Sequence, residues 1–109
     1  SPEEVFDRLW AREVLEQAVS KFRTECERRD LPHYWTVFER HVLRPEQYEH
    51  PSYRDTARKM DTPVSNVTNY LHRARQLFAR CAREIIRETV IFPAQVEEEL
   101  ADLRRAFDS

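Results

Sequence analysis

The run Tyr53-Arg54-Asp55-Thr56-Ala57-Arg58-Lys59-Met60-Asp61-Thr62-Pro63-Val64-Ser65-Asn66-Val67-Thr68-Asn69-Tyr70-Leu71-His72-Arg73-Ala74-Arg75 holds two helices and the corner between them. Ser52, just before it, can cap a short helix in which Tyr53, Thr56, Ala57 and Met60 share one face at i, i+3, i+4 and i+7. Asp61-Thr62 breaks that helix, and Pro63 suits the first turn of the next. Val64, Val67, Leu71, Ala74, Phe78, Cys81 and Ile85 then alternate steps of three and four, which predicts a helix as far as Thr89. At 1.5 Å per residue it is about 40 Å long. A short helix, a turn of three residues and a longer helix form the outline of a helix-turn-helix.

Upstream, Ser1-Pro2-Glu3-Glu4 has the signature of a helix start. Phe6, Trp10, Val14, Ala18, Phe22 and Cys26 follow every four residues, and Leu9, Leu15 and Val19 widen the stripe. One helix is expected to about Arg29. A second starts at Asp30-Leu31-Pro32, carries Trp35, Val37, Phe38, Val42 and Leu43, and ends before Pro45. Pro45 to Pro51 should be a polar loop. Downstream, Pro93 opens a last helix with Val96, Leu100, Leu103 and Phe107 inward. The expectation is one all-α domain over 1–109, a compact bundle of about five helices. Its parts are a helical pair (1–44), the helix-turn-helix (52–89) and a C-terminal helix (93–108).

Composition excludes much else. The 109 residues contain no glycine. Phosphate-cradling loops, dinucleotide fingerprints and nucleophile elbows all need glycine where the backbone turns sharply or meets a ligand closely. No apolar run approaches the roughly 18 to 20 residues of a membrane span, and no secretory signal pattern opens the chain. Cys26 and Cys81 lie far apart in sequence, which fits a reducing compartment, so a cytoplasmic location is expected. The single methionine is Met60, and the chain is expected to be part of a longer protein.

The net charge of −2 conceals an uneven distribution. Residues 1–52 carry eight basic and eleven acidic side chains, residues 53–88 eight and four, and residues 89–109 two and five. The basic middle is the candidate anion-binding surface. Opposite the apolar stripe of the long helix fall Ser65, Asn69, His72, Arg73 and Gln76, continuing as Arg80, Arg83 and Arg87. The first half of this face has the hydrogen-bonding side chains that read base edges. The second half is arginine, which holds phosphates. Ser65 and Asn66 sit where free backbone N–H groups favour a phosphate. A polar face opposite an apolar stripe is also what any amphipathic helix shows.

The run from Tyr53 to Arg75 resembles the C-terminal promoter-reading domain of bacterial RNA polymerase sigma factors of the extracytoplasmic-function type. Tyr53 and Ala57 match the opening helix of that family, and Met60-Asp61 with Pro63-Val64 its turn. Val67, Leu71 and the closing His72-Arg73-Ala74-Arg75 are similar to its recognition helix. The resemblance implies that Ser65, Asn66, Thr68, Asn69, His72 and Arg73 lie in the major groove of the upstream (minus-thirty-five) promoter element. Gln76, Arg80 and Arg83 are then expected on phosphates, where the helix leaves the groove. The implied partners are promoter DNA, the polymerase core with its β-subunit flap, and an anti-sigma protein that masks the domain. No cofactor, membrane or enzymatic activity is implied. The family often carries basic residues where this chain has Thr68 and Tyr70, and its polymerase-holding domain is absent from these residues.

A competing reading is a protein-interaction module that keeps the sigma-like fold with little DNA affinity. Its support is a pI near 6.1 and the two acidic ends. Other features have plain structural explanations. Cys26 and Cys81 fall on apolar faces and act as small hydrophobes. His33, His41, His50 and His72 show no ligand spacing. Glu97-Glu98-Glu99 opens a helix, where acidic side chains favour the dipole. Phe6, Trp10, Tyr34, Trp35 and Phe38 are expected in the core, with a partner groove built from some of them as the other option.

Overall fold

The computed structural model describes residues 1–89 together with Glu98, Ala101, Arg105 and Ala106. It is all-helical, with no strand among the described residues. The helices are α1 (Pro2–Arg28), α2 (Pro32–Phe38), α3 (Tyr53–Met60) and α4 (Val64–Thr89). The expected C-terminal helix (93–108) lies outside the described residues apart from those four.

α1 begins as its sequence dictates. Ser1 accepts from the Glu4 N–H, the Glu4 side chain reaches back to Ser1, and Pro2 occupies the first turn. Arg29 ends it, and Asp30 turns the chain in the left-handed region at φ 56°. α3 has the same start. The Ser52 hydroxyl accepts from the Asp55 N–H at 3.0 Å, and the Asp55 carboxylate accepts from the Ser52 N–H at 3.1 Å. That second bond holds the Asp55 carboxyl below the usual carboxylate range. Ser52→Ala should therefore cost about 1 kcal/mol. It would be read as a lower urea midpoint at unchanged slope; an unchanged midpoint would show that the cap does not hold α3.

The core is one cluster. Phe22 and Cys26 of α1, Val37 and Phe38 of α2, Ala57 of α3, and Val67, Leu71, Ala74, Leu77 and Cys81 of α4 are buried together. Phe22 stands at its centre, with ring centroids 4.8 Å from Phe38, 5.9 Å from Phe78 and 6.1 Å from Trp35. α1 and α4 run antiparallel. Lys21 faces Glu84 and Glu88, while Glu25 and Arg29 line a cleft with Leu77 and Cys81.

Two expectations change. The apolar stripe of α1 is narrower than its pattern: Ala18, Phe22 and Cys26 are buried, but Leu9 and Leu15 are about half exposed. The antiparallel overlap explains this, because the described part of α4 reaches only the second half of α1. The second helix is also not uniform to Pro45. α2 ends at Phe38 and continues as a π turn over Glu39–Leu43, closed by the Arg44 N–H on the Glu39 carbonyl at 2.9 Å. The wider turn changes the phase, so that the consecutive residues Arg40 and His41 both reach Thr56 of α3. Within the polar loop, Pro45–Tyr48 forms a short 3₁₀ turn, followed by Glu49 and His50 at φ 58° and 51°.

Candidate nucleic-acid interface

α3 and α4 meet at a corner of three residues. Asp61 takes the left-handed conformation at φ 52°, and its N–H bonds back to the last turn of α3. The Thr62 N–H reaches the Ala57 carbonyl at 3.0 Å. Pro63 lacks an N–H to satisfy, and its carbonyl accepts from the Asn66 N–H at 3.0 Å. The side-chain amide of Asn66 donates to the Thr62 hydroxyl at 2.7 Å. This fastens the first turn of α4 to the corner.

Burial of Val67, Leu71, Ala74, Leu77, Cys81 and Ile85 fixes the rotation of α4. Among the described residues, none covers the opposite face. Ser65, Thr68, Asn69, His72, Arg73, Gln76, Arg80, Arg83 and Arg87 are all exposed. Asn66 is half-buried, with its amide engaged by Thr62. Thr68 donates to the Val64 carbonyl at 3.4 Å. Along the axis, Arg73 stands about 12 Å from Ser65, Gln76 about 16 Å, Arg80 about 22 Å and Arg83 about 27 Å. The base-edge candidates thus lie on the first half of the helix, Gln76 at its middle, and Arg80 and Arg83 on the second half.

Tyr70 has a different setting. Its ring packs edge-on to His33, with centroids 4.5 Å apart, and near Tyr34 at 6.1 Å. A basic side chain at 70 would break this aromatic group rather than add to the open face.

The charges are arranged as unevenly in space as in sequence. On the first helix, Arg12, Arg23, Arg28 and Arg29 pair with glutamates of the same helix. Lys21 takes Glu84 at 2.9 Å and Glu88 at 3.5 Å across to α4, which raises its ammonium pKa and holds the Glu84 carboxyl low. Asp55 is occupied by the α3 cap. Three of the four carboxylates in 53–88 are therefore engaged. By contrast, Arg54, Arg58, Lys59, Arg73, Arg75, Arg80, Arg83 and Arg87 are exposed, and none forms a salt bridge with a described carboxylate. α3 and α4 present eight exposed cations on one helical pair, of which Arg58 and Arg80 lie near Asp55 and Glu84 without bonding to them. That arrangement attracts polyanions.

Behind α3 lies a buried polar group: spacing already puts Thr56 on the inward face, but nothing in the sequence marks Arg40 as its partner. Arg40 is 9 % exposed, and Thr56 is fully buried. The Arg40 Nε donates to the Thr56 hydroxyl at 3.2 Å, while its guanidinium lies over the Tyr48 ring at 4.9 Å. Neither residue breaks the apolar pattern of its helix in a way that marks the other.

Remaining candidates resolve simply. Cys26 and Cys81 are free and buried, and burial pushes the Cys26 thiol up to about 11. Phe38 is core, Tyr34 and Trp35 pack against it, and Phe6 and Trp10 are half-buried on α1. An open groove of about 450 Å³ runs between Leu15, Val19, Trp35 and Leu43. Among the described residues no group of three or more His, Cys, Asp or Glu could hold a metal ion, and no helix is long and apolar enough to cross a membrane.

Compared with protein-family models, with curated proteins and with solved structures, the chain finds no match.

Proposed function

We propose that the chain is a sequence-specific DNA-binding domain of the extracytoplasmic-function sigma type, reading the upstream (minus-thirty-five) promoter element in complex with RNA polymerase in the cytoplasm. One observation carries this reading: α3 and α4 present eight exposed cations, none of them in a salt bridge with a described carboxylate, beside a hydrogen-bonding face on α4. Ser65, Thr68, Asn69, His72 and Arg73 enter the major groove, with Asn66 bracing the corner. Gln76, Arg80 and Arg83 meet phosphates as the helix departs. The domain contributes recognition and no catalysis; polymerase supplies the chemistry.

The overall charge of −2 sets the affinity scale. The acidic first helix opposes a long-range approach to DNA, so the isolated domain binds weakly and gains useful affinity when polymerase holds it beside the promoter. The test is a titration of promoter and scrambled duplexes, free and with the domain tethered to polymerase, over several salt concentrations. Binding should weaken with salt at a slope of about −0.9 per phosphate contact. The promoter duplex should bind more tightly than the scrambled one by a factor that changes little with salt. Absence of binding in the tethered form overturns the proposal.

The groove beside Leu15 and Trp35 favours the second reading, a sigma-like module that binds an anti-sigma or another regulatory protein. In that case Leu15→Glu abolishes capture of the protein partner, while substitutions on α4 leave it unchanged.

A further inference from the structure

We propose that His41, in its neutral form, is a positioning residue that docks α3 and so sets the helix-turn-helix, with acid as its release. α3 has little else to hold it. Its only buried residues are Thr56 and Ala57; Met60 is half-buried, and Tyr53 is 40 % exposed. With no large apolar side chain fully buried, the short helix relies on the polar group formed around Thr56.

That group has a defined proton inventory. The Thr56 hydroxyl accepts from the Arg40 Nε at 3.2 Å and lies 2.7 Å from the His41 Nε2. Arginine can only donate, which leaves the hydroxyl's own proton available, and in the proposed arrangement it goes to Nε2. The ring then accepts at Nε2, carries its proton on Nδ1 and is neutral. Every charged or titratable group facing it opposes a second proton or is indifferent to it. Arg40 faces it from the π turn and Arg75 from α4, while the uncharged Tyr53 of α3 packs edge-on at 5.0 Å. No carboxylate of the described residues is among them.

Protonation would give Thr56 two cationic donors and place a third positive charge between two arginines. Burial first, then Arg40 and Arg75, hold the His41 pKa below its ordinary value. The sign follows. Above the unfolded-state value of 6.5 the contact is intact; as pH falls below it, the unfolded chain takes up the proton first and stability drops. The drop ends once pH passes the folded-state pKa.

The consequence for DNA rests on the proposed function. The docking itself does not, and its test uses no DNA. Amide exchange of the full chain is measured at pH 7.5 and 5.5, corrected for intrinsic rates, with ¹⁵N shifts reporting the His41 tautomer. At pH 7.5 the ring should be the neutral Nδ1–H form. At pH 5.5 the amides of α3 and of the Asp61–Asn66 corner should exchange several-fold faster, and those around Phe22 should not. His41→Gln, whose amide oxygen can accept from Thr56 without titrating, should remove the acid effect. His33→Gln should keep it, although burial also lowers the His33 pKa. An Nε2–H tautomer at pH 7.5, or acid loosening that survives His41→Gln or involves the whole domain in step, overturns the proposal. The tautomer is read on the natural chain, so the test stands even if His41→Gln fails to fold.

Discussion

Phe22→Ala should destabilise the protein by about 3–5 kcal/mol, the largest single-residue effect expected in the chain. Phe22 has no exposed surface and touches Trp35, Phe38 and Phe78, which come from two other helices. Truncation leaves a void that those three rings cannot all collapse into, and it removes three aromatic contacts together. In a domain this small the loss is a large share of total stability. Urea unfolding followed by circular dichroism measures it. Leu15→Ala on the same helix is the comparison: Leu15 is 51 % exposed, so its loss should change stability by less than about 0.5 kcal/mol. Equal effects at the two positions would mean that α1 does not dock through the Phe22 face.

On the preferred promoter, Asn69→Ala and Arg73→Ala should each lose about 1–3 kcal/mol of binding, and much less on scrambled duplex. Both side chains are exposed on the first half of α4, and both types can pair bidentately with purine edges. Arg80→Ala should act differently. Arg80 lies about two turns beyond Arg73, so its loss should weaken binding to every sequence alike and reduce the salt slope by about one counterion. The measurement is a titration of all three variants on both duplexes at several salt concentrations. Equal losses on promoter and scrambled DNA for Asn69→Ala and Arg73→Ala would sink the base-reading role while leaving charge-driven binding intact.

Local signals in the sequence were enough to locate α3, α4 and the corner between them. Ser52 caps α3, Asp61 and Pro63 make the corner, and the spacing from Val67 to Ile85 fixes which side of α4 is buried. Each of these depends on residues a few positions apart. What stayed hidden depends on distant ones. From the π turn, Arg40 and His41 meet a hydroxyl 16 and 15 residues further on. Likewise, Tyr70 faces a histidine from the start of α2 rather than the open side of α4. Periodicity also overstated α1, because a stripe of apolar residues says which side could be buried and not how far its partner helix extends.

Local spacing placed Arg80, Arg83 and Arg87 in a row on the outward face, but it could not show that none of them forms a salt bridge with a described carboxylate. Arg83 and Arg87 stand four residues apart on one helix, and Arg80 and Arg83 three apart. Like charges at these separations destabilise a helix by a few tenths of a kcal/mol per pair. Glu84, engaged by Lys21 and four residues after Arg80, offsets part of this repulsion, and a flexible polyanion should relieve what remains. Heparin or polyphosphate should raise the melting temperature much as a duplex does. A rise in melting temperature on adding DNA would thus report neutralisation and not recognition; only the difference between two sequences of equal charge tests the proposed reading.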